Sequence, residues 1–404
     1  MESNGLNYAW PITSVNALDY DAFKKWIEEH RVMLVEKEVI IFGAGIRGTS
    51  FLKFFENEGV NNIVFTDNNK KKVGGHIDGS PIISIDDAYG RVRSNRSIIV
   101  VSTENCNDIV AQIKKQDFLE NRDFYTISTN EYNAYVDEFL REYDCKYLFM
   151  GDCEYSNISL HDIDRRNLAE MIRDEFGFAL TKILAIHGMH LRSQYHIFEQ
   201  QIRMEQIPKH LFLMVNLDTL TGKQHLLPRS QHSILLNMIW EACGKNEQFG
   251  DYVRIAAERE KNIKAEFLIK GRNSTNEALI KAQHTNYFRL NYMYKMKSDV
   301  EGVVYLRKFA MLCEEKGIKF IPFIPPVNYQ YAQNLLKDDF MLAYKKNIDI
   351  LTGLFDGIGV SVLDLSYILE SDMFAEPNTP DETANDRGRH MIVDLFKKEV
   401  EIDV

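Results

Sequence analysis

The chain contains no run of about 18 apolar residues, so it offers no candidate membrane-spanning helix. Its opening, Met1-Glu-Ser-Asn-Gly5, has neither a basic start nor an apolar core, and no signal peptide is expected there. The five cysteines are odd in number and irregularly spaced, which excludes a disulfide framework and the usual zinc-ligand patterns. Positive charge is not in excess. The formal net charge of -11 argues against nonspecific nucleic-acid binding and against docking on an anionic membrane. Internal repeats and low-complexity segments are absent too. These absences point to the reducing cytoplasm, where a free thiol survives.

What is present is globular in kind. The 404 residues, 45% hydrophobic and 26% charged, suggest two or three domains with sizeable cores. The organising stretch is Lys146-Tyr-Leu-Phe-Met-Gly-Asp-Cys-Glu-Tyr155. It reads as a buried strand ending on Gly151, with Asp152 and Cys153 delivered onto a turn. A glycine after a strand permits a tight turn, and open α/β sheets bind ligands at that carboxyl edge. Cys153 is therefore a candidate nucleophile, set against the alternative of a small buried thiol. Asp152 either titrates or braces the turn through backbone N–H groups.

Upstream, residues 1–36 form a lead-in with one helical stretch, in which Phe23, Trp26 and Ile27 share a face. An apolar strand then runs into Gly43-x-Gly45-x-x-Gly48, a helix-like segment follows, and a second strand ends at Asp67 about 20 residues on. Such glycines allow close approach to a phosphate, the helix N-terminus offers free N–H groups, and Asp67 could accept from a ribose hydroxyl. The alternative is that the glycines serve backbone packing alone. Further strands at 97–102 and 124–127 alternate with helices, which implies a parallel sheet over 37–130. Residues 131–145 read as a connecting helix.

From 146 onward, apolar strands again end in Gly, Asn, Asp or Cys with helices between them. Examples are Ile183 to His190, Leu211 to Asp218, Lys319 to Asn328 and Val360 to Asp364, and a final helix begins near Arg387. The expected fold class is α/β with two doubly wound parallel-sheet domains, the second three-layered and flavodoxin-like with a helical insertion over 229–300. That insertion carries Arg229, His232, Arg289 and several tyrosines. These could line a sugar or phosphate pocket, or the insertion could be a helical lid or oligomer contact.

Two resemblances follow from these residues. The order Gly-Ala-Gly-x-x-Gly, Thr-Asp-Asn-Asn and Gly-x-x-x-Asp-Gly-x-Pro-Ile over 37–130 resembles the Rossmann-like modules of bacterial surface-polysaccharide enzymes, including sugar acyltransferases. Gly151-Asp-Cys153, Gly188, Asn216, the Pro325–Tyr329 stretch and Asp381-Glu-Thr-Ala-Asn-Asp-Arg-Gly388 resemble the SGNH (GDSL-like) hydrolase superfamily, in particular members that modify surface polysaccharides. The second resemblance implies Cys153 as nucleophile in place of serine, with Gly188 and Asn216 as oxyanion donors beside the Cys153 N–H. It also implies a late histidine as base, but Thr383 holds that place. His390, His190 and His187 are the substitutes, and Asp381 could orient one of them or cap the final helix. Asn328 could touch substrate or serve a turn.

The expected activity is an acyl-group transferase or esterase on a capsule or O-antigen precursor. A nucleotide or nucleotide sugar would bind the first domain, acyl-CoA would be the donor, and no metal would take part, although His187, His190 and Asp218 are ligand types that could in principle hold one. Expected partners are a sugar or polysaccharide precursor and a second copy of the chain or an assembly-system protein. A non-catalytic scaffold of polysaccharide biosynthesis is the alternative, and an NAD-dependent oxidoreductase built on the glycine motif a third reading.

Overall fold

A computed structural model describes residues 14–102, 106–127, 131–221, 231–262, 277–297, 299–380 and 382–401. The chain divides into two units, Met1–Thr129 with Gly271–Ile280, and Asn130–Lys270 with Lys281–Val404. Arg229, Asp381 and the start of the lead-in lie outside the described residues.

The first unit is built on a six-stranded sheet in the order His76–Ile77, Ser80–Ile83, Ile63–Thr66, Glu38–Phe42, Ser97–Val101, Phe124–Thr126. Only the His76–Ile77 edge is antiparallel. The parallel strands, numbered along the chain, run 3-2-1-4-5, the Rossmann order, with its switch point between Glu38–Phe42 and Ser97–Val101. Both faces of these strands are covered, which is why they read as unbroken apolar runs. Ile40, Phe42, Ile99 and Val101 pack with Ala88, Tyr89, Val92 and Ile113 on one face. In the helix pair Ala17–Glu36 and Ile46–Asn57, Phe23 meets Phe51 and Phe55 at ring centroids 4.7 Å apart.

The second unit has five strands, all parallel, in the order Thr181–Ala185, Tyr147–Gly151, His210–Met214, Lys319–Ile324, Leu363–Asp364. This is the 2-1-3-4-5 order, whose switch point falls between the tips of Tyr147–Gly151 and His210–Met214. Side chains alternate between two cores as strand geometry requires. Leu148, Met150, Leu211 and Leu213 enter one core, and Tyr147, Phe149, Phe212 and Met214 the other. Phe149 and Phe212 stack across neighbouring strands at 4.4 Å. Helices Ser233–Ala242, Glu247–Asn262 and Glu277–Asn291 lie between the third and fourth strands in the chain. Both units are thus α/β with parallel-dominated sheets. Among the described residues, no helix is long and apolar enough to cross a membrane.

Candidate active site

The strand Tyr147–Gly151 ends where only glycine fits. A Cβ on Gly151 would stand 2.4 Å from the Tyr155 ring and 3.1 Å from the Met214 Cβ. The next residue, Asp152, is extended, and its Oδ1 accepts from the Glu154 N–H at 3.2 Å, which starts a single 3-10 turn over Cys153–Tyr155. Asp152 therefore braces the turn. Tyr155 is buried beneath, while Cys153 and Glu154 keep partial contact with solvent. The neighbouring tip is tied in by Gln194, whose Nε2 donates to Gly151 O at 3.3 Å and Met189 O at 3.0 Å.

Carboxyl groups gather around the Cys153 thiol from three segments. Asp152 and Glu154 come from the first strand tip, Asp218 from the third, and Glu382 from the loop before the final helix. Asn216 follows the third strand, and its Nδ2 donates to Glu382 Oε2 at 2.9 Å and to Glu154 Oε1 at 3.4 Å. Tyr287, from helix Glu277–Asn291, donates to Glu382 Oε1 at 3.1 Å. Glu154 and Glu382 are themselves hydrogen-bonded to each other.

The electrostatics of this cluster follow from burial and like charge. Burial first, then Asp152, Glu382 and Asp218, push the Glu154 carboxyl well above the usual carboxylate range. Burial also raises Glu382, to about 7, with Asn216, Tyr287 and Glu154 opposing. Glu154 thus keeps the proton and donates it to Glu382. Asp152 is raised by burial to about 6, against its backbone bonds and the nearby His187 charge. The Cys153 thiol is pushed well above its ordinary value by burial and then by all four carboxyls. An ordinary thiol holds a few per cent thiolate near neutral pH, and Cys153 holds less, so it needs a base to take its proton.

The other expected residues take varied places. Gly188 turns with φ of 63°, in the connection between Thr181–Ala185 and helix Leu191–Arg203. His190 is buried and N-caps that helix, its Nδ1 accepting from the Ser193 N–H at 3.3 Å, while Arg192 approaches its Nε2 at 3.2 Å. That ring is engaged in capping the helix. His187 Nδ1 lies 3.2 Å from Glu131 Oε2, and its carbonyl accepts from His232 Nε2 at 2.9 Å. His390 is exposed on the final helix and pairs with Asp164 at 3.1 Å. Thr383 is buried, and Asn385 caps the final helix by accepting from the Gly388 N–H at 3.2 Å. Asn328 caps helix Tyr329–Leu336, and its Nδ2 holds Pro377 O and Thr379 O at 3.0 and 3.1 Å. No group of three or more His, Cys, Asp or Glu side chains suited to a metal ion occurs among the described residues.

Sequence reasoning passed over Glu154, Glu382 and Tyr287 as site residues. Glu382 stands one residue before the position searched for a histidine, so a search open to any base in that loop would have found it.

In the first unit, Gly43 turns with φ of 116°, and a Cβ on Gly48 would lie 1.9 Å from Gly43 O. Gly45 has open space around it and precedes helix Ile46–Asn57 without a side-chain cap, so the glycine-rich turn leads directly to a helix N-terminus. Asp67 accepts from Ala44 N at 2.9 Å, Asn69 N at 2.8 Å and Lys72 Nζ at 2.8 Å. Its oxygens therefore brace the glycine turn, where a ribose contact was expected.

Residues 35–117 match the family model of the CoA binding domain, and this segment has the Rossmann-like nucleotide-binding fold. The match does not extend into the second unit. No curated protein matches the chain. Among solved structures, threonine synthase from yeast aligns at 11% identity over 95% of this chain and 75% of that one. Its TM-score of 0.25 supports no shared fold.

Proposed function

We propose that the chain is an acyl-group transferase or esterase acting on a surface-polysaccharide precursor, with acyl-CoA as donor, Cys153 as nucleophile and Glu382 as general base. The observation that carries this reading is Glu382 itself, raised to about 7 and oriented by Asn216 and Tyr287 in the carboxyl cluster around the thiol. A base works best with its pKa near the operating pH. Further support comes from the match of residues 35–117 to a CoA binding domain. The likeness to SGNH hydrolases also fits the 2-1-3-4-5 strand order, with Gly151-Asp-Cys153, Gly188 and Asn216 following its first three strands.

In the proposed reaction, Cys153 Sγ attacks the thioester carbonyl while its proton passes to Glu382. The carbon–sulfur bond to CoA breaks, and the departing CoA thiolate takes that proton. A sugar hydroxyl, or water in the esterase case, then attacks the acyl-Cys153 carbonyl. Its proton goes to Glu382 and from there to the leaving Cys153 sulfur. Asn216 has two N–H bonds on its amide. One holds Glu382, and the other, spent on a long contact to Glu154, is the one to turn toward the oxyanion.

The second reading is a non-catalytic binding protein of polysaccharide biosynthesis. It is favoured by the raised Cys153 thiol, because reactive cysteines sit in electropositive surroundings. Incubation of wild type, Cys153→Ala and Glu382→Gln with acetyl-CoA, read by intact mass and release of free CoA, separates the two. Acetylation confined to the wild type, with Glu382→Gln strongly slowed, is expected. Equal labelling of wild type and Cys153→Ala removes Cys153 from the mechanism, and no labelling of any form supports the binding protein.

A further inference from the structure

A second feature of the same unit holds none of the residues that move a proton in the acyl step. An open groove of about 490 Å³ is lined by Lys281, Ala282, Thr285, Tyr331, Asn334, Leu335 and Asn378. That volume lies within the range of roughly 300–1,000 Å³ typical of small-molecule sites. Two of its lining segments also supply residues to the carboxyl cluster. The helix that contributes Lys281, Ala282 and Thr285 also carries Tyr287, which holds Glu382. The loop that contributes Asn378 runs on to Glu382 itself, and Asn328 pins it on both sides of Asn378 through Pro377 O and Thr379 O.

The lining chemistry is that of hydroxyl recognition. Asn334 and Asn378 are exposed amides, each able to donate and accept at once, as vicinal hydroxyls require. Thr285 adds a hydroxyl. The Tyr331 ring is fixed because its hydroxyl meets His284 Nδ1 at 2.7 Å, and it offers an apolar face with a polar tip. Leu335 extends that apolar strip. The charged side chain in the lining is Lys281, and in the neighbouring carboxyl cluster Glu154 keeps its proton, so charge does not set the selection.

We infer that this groove is the acceptor subsite and that it takes a hydroxyl-rich saccharide, the proposal resting on the acyl-transfer reading for what happens to that saccharide. The test uses the full chain carrying Cys153→Ala, so that no chemistry intervenes. Chitotriose is titrated by saturation-transfer NMR. Chitotriose is expected to bind. The exposed pair Asn334→Ala/Asn378→Ala should weaken it about tenfold or more, and Ala282→Trp, which fills the groove, should abolish it. Chitotriose binding unchanged by both variants, or no chitotriose binding, overturns the assignment. The acetyl-CoA experiment reads Cys153 separately. A groove that binds chitotriose in a chain that is never acetylated leaves the subsite standing without the reaction, whereas acetylation with no saccharide bound leaves the reaction without the subsite.

Discussion

Replacing Glu382 by glutamine tests the electrostatics of the site without assuming its substrate. Glu382 is raised from an ordinary 4.5 to about 7, so the folded protein holds a proton there that the unfolded chain has released. The folded state binds more protons over that window, and stability must fall as pH rises through it. At about 1.4 kcal/mol for each pKa unit, the undiscounted loss is about 3 kcal/mol. Glu382 keeps partial solvent contact, so roughly half of that, about 1.5 kcal/mol, is the expected slope between pH 5 and 8. Glutamine cannot titrate and removes this slope. It also exchanges one acceptor for a donor, so the bond from either Asn216 or Tyr287 is lost, at about 1 kcal/mol at every pH. Glu382→Gln should therefore be the less stable form at pH 5 and should draw level with or pass the wild type at pH 8. The assay is urea unfolding at both pH values, followed through Trp240 with Trp10 and Trp26 replaced by phenylalanine, so that the signal comes from the second unit. An identical pH dependence in wild type and variant would refute the raised carboxyl and with it the base assigned to this site.

Other perturbations have outcomes of their own. Alkylation of Cys153 by iodoacetamide at pH 7.5, read on its peptide, should be at least about tenfold slower than for free cysteine, since thiolate content falls tenfold per pKa unit. Glu382→Gln should speed it, because one of the carboxyls that raise the thiol is neutralised. Gly151→Ala should cost about 1–3 kcal/mol in unfolding experiments, because its methyl would meet the buried Tyr155 ring at 2.4 Å. Arg389 and Asp162 form an ion pair at 2.8 Å with both side chains 1% exposed, and Arg389 also holds Ala384 O at 2.8 Å. Arg389→Met should cost about 3–5 kcal/mol by stranding the Asp162 charge, and Arg389→Met with Asp162→Asn less than that.

The strands of the second unit were legible because parallel strands buried on both faces leave apolar runs, such as Leu148 to Met150 and Leu211 to Met214. The second strand was placed late, at Ile183, because Lys182 looks like a surface residue. In the structure, the strand starts at Thr181 and Lys182 is fully buried, its Nζ donating to Phe139 O and Gln201 Oε1 at 2.9 Å. Burial draws that ammonium down to about 8. The strand-tip turn at Gly151 was legible from local chemistry alone. The carboxyl cluster was not, since Asn216 reaches Glu154 and Glu382 across 62 and 166 residues of chain, and no periodicity encodes such contacts. The capping role of His190 was hidden for a related reason. An imidazole beside a strand edge reads as a base, yet at His190 the same position is a helix N-cap, where any acceptor satisfies an orphan N–H.

A glutamate in the role of a histidine is coherent here because of the charge it leaves behind. When an imidazole takes a proton it becomes a cation, which Asp152 and Asp218 would hold in place as an ion pair. When Glu382 takes a proton, it becomes neutral and removes one negative charge from the cluster at the moment a carbonyl oxygen beside Cys153 acquires one. Charge moves within the site instead of being created, and the nearby carboxyls, which oppose thiolate formation at rest, oppose the oxyanion less once Glu382 is protonated. Glu154 must then stay protonated throughout, since its ionisation would restore the lost charge. That is the state burial and its neighbours enforce. Glu154→Gln should then retain most of any acetylation by acetyl-CoA, whereas Glu382→Gln should lose it. Equal loss in the two would mean that the pair shares the proton transfer and that neither carboxyl alone is the base.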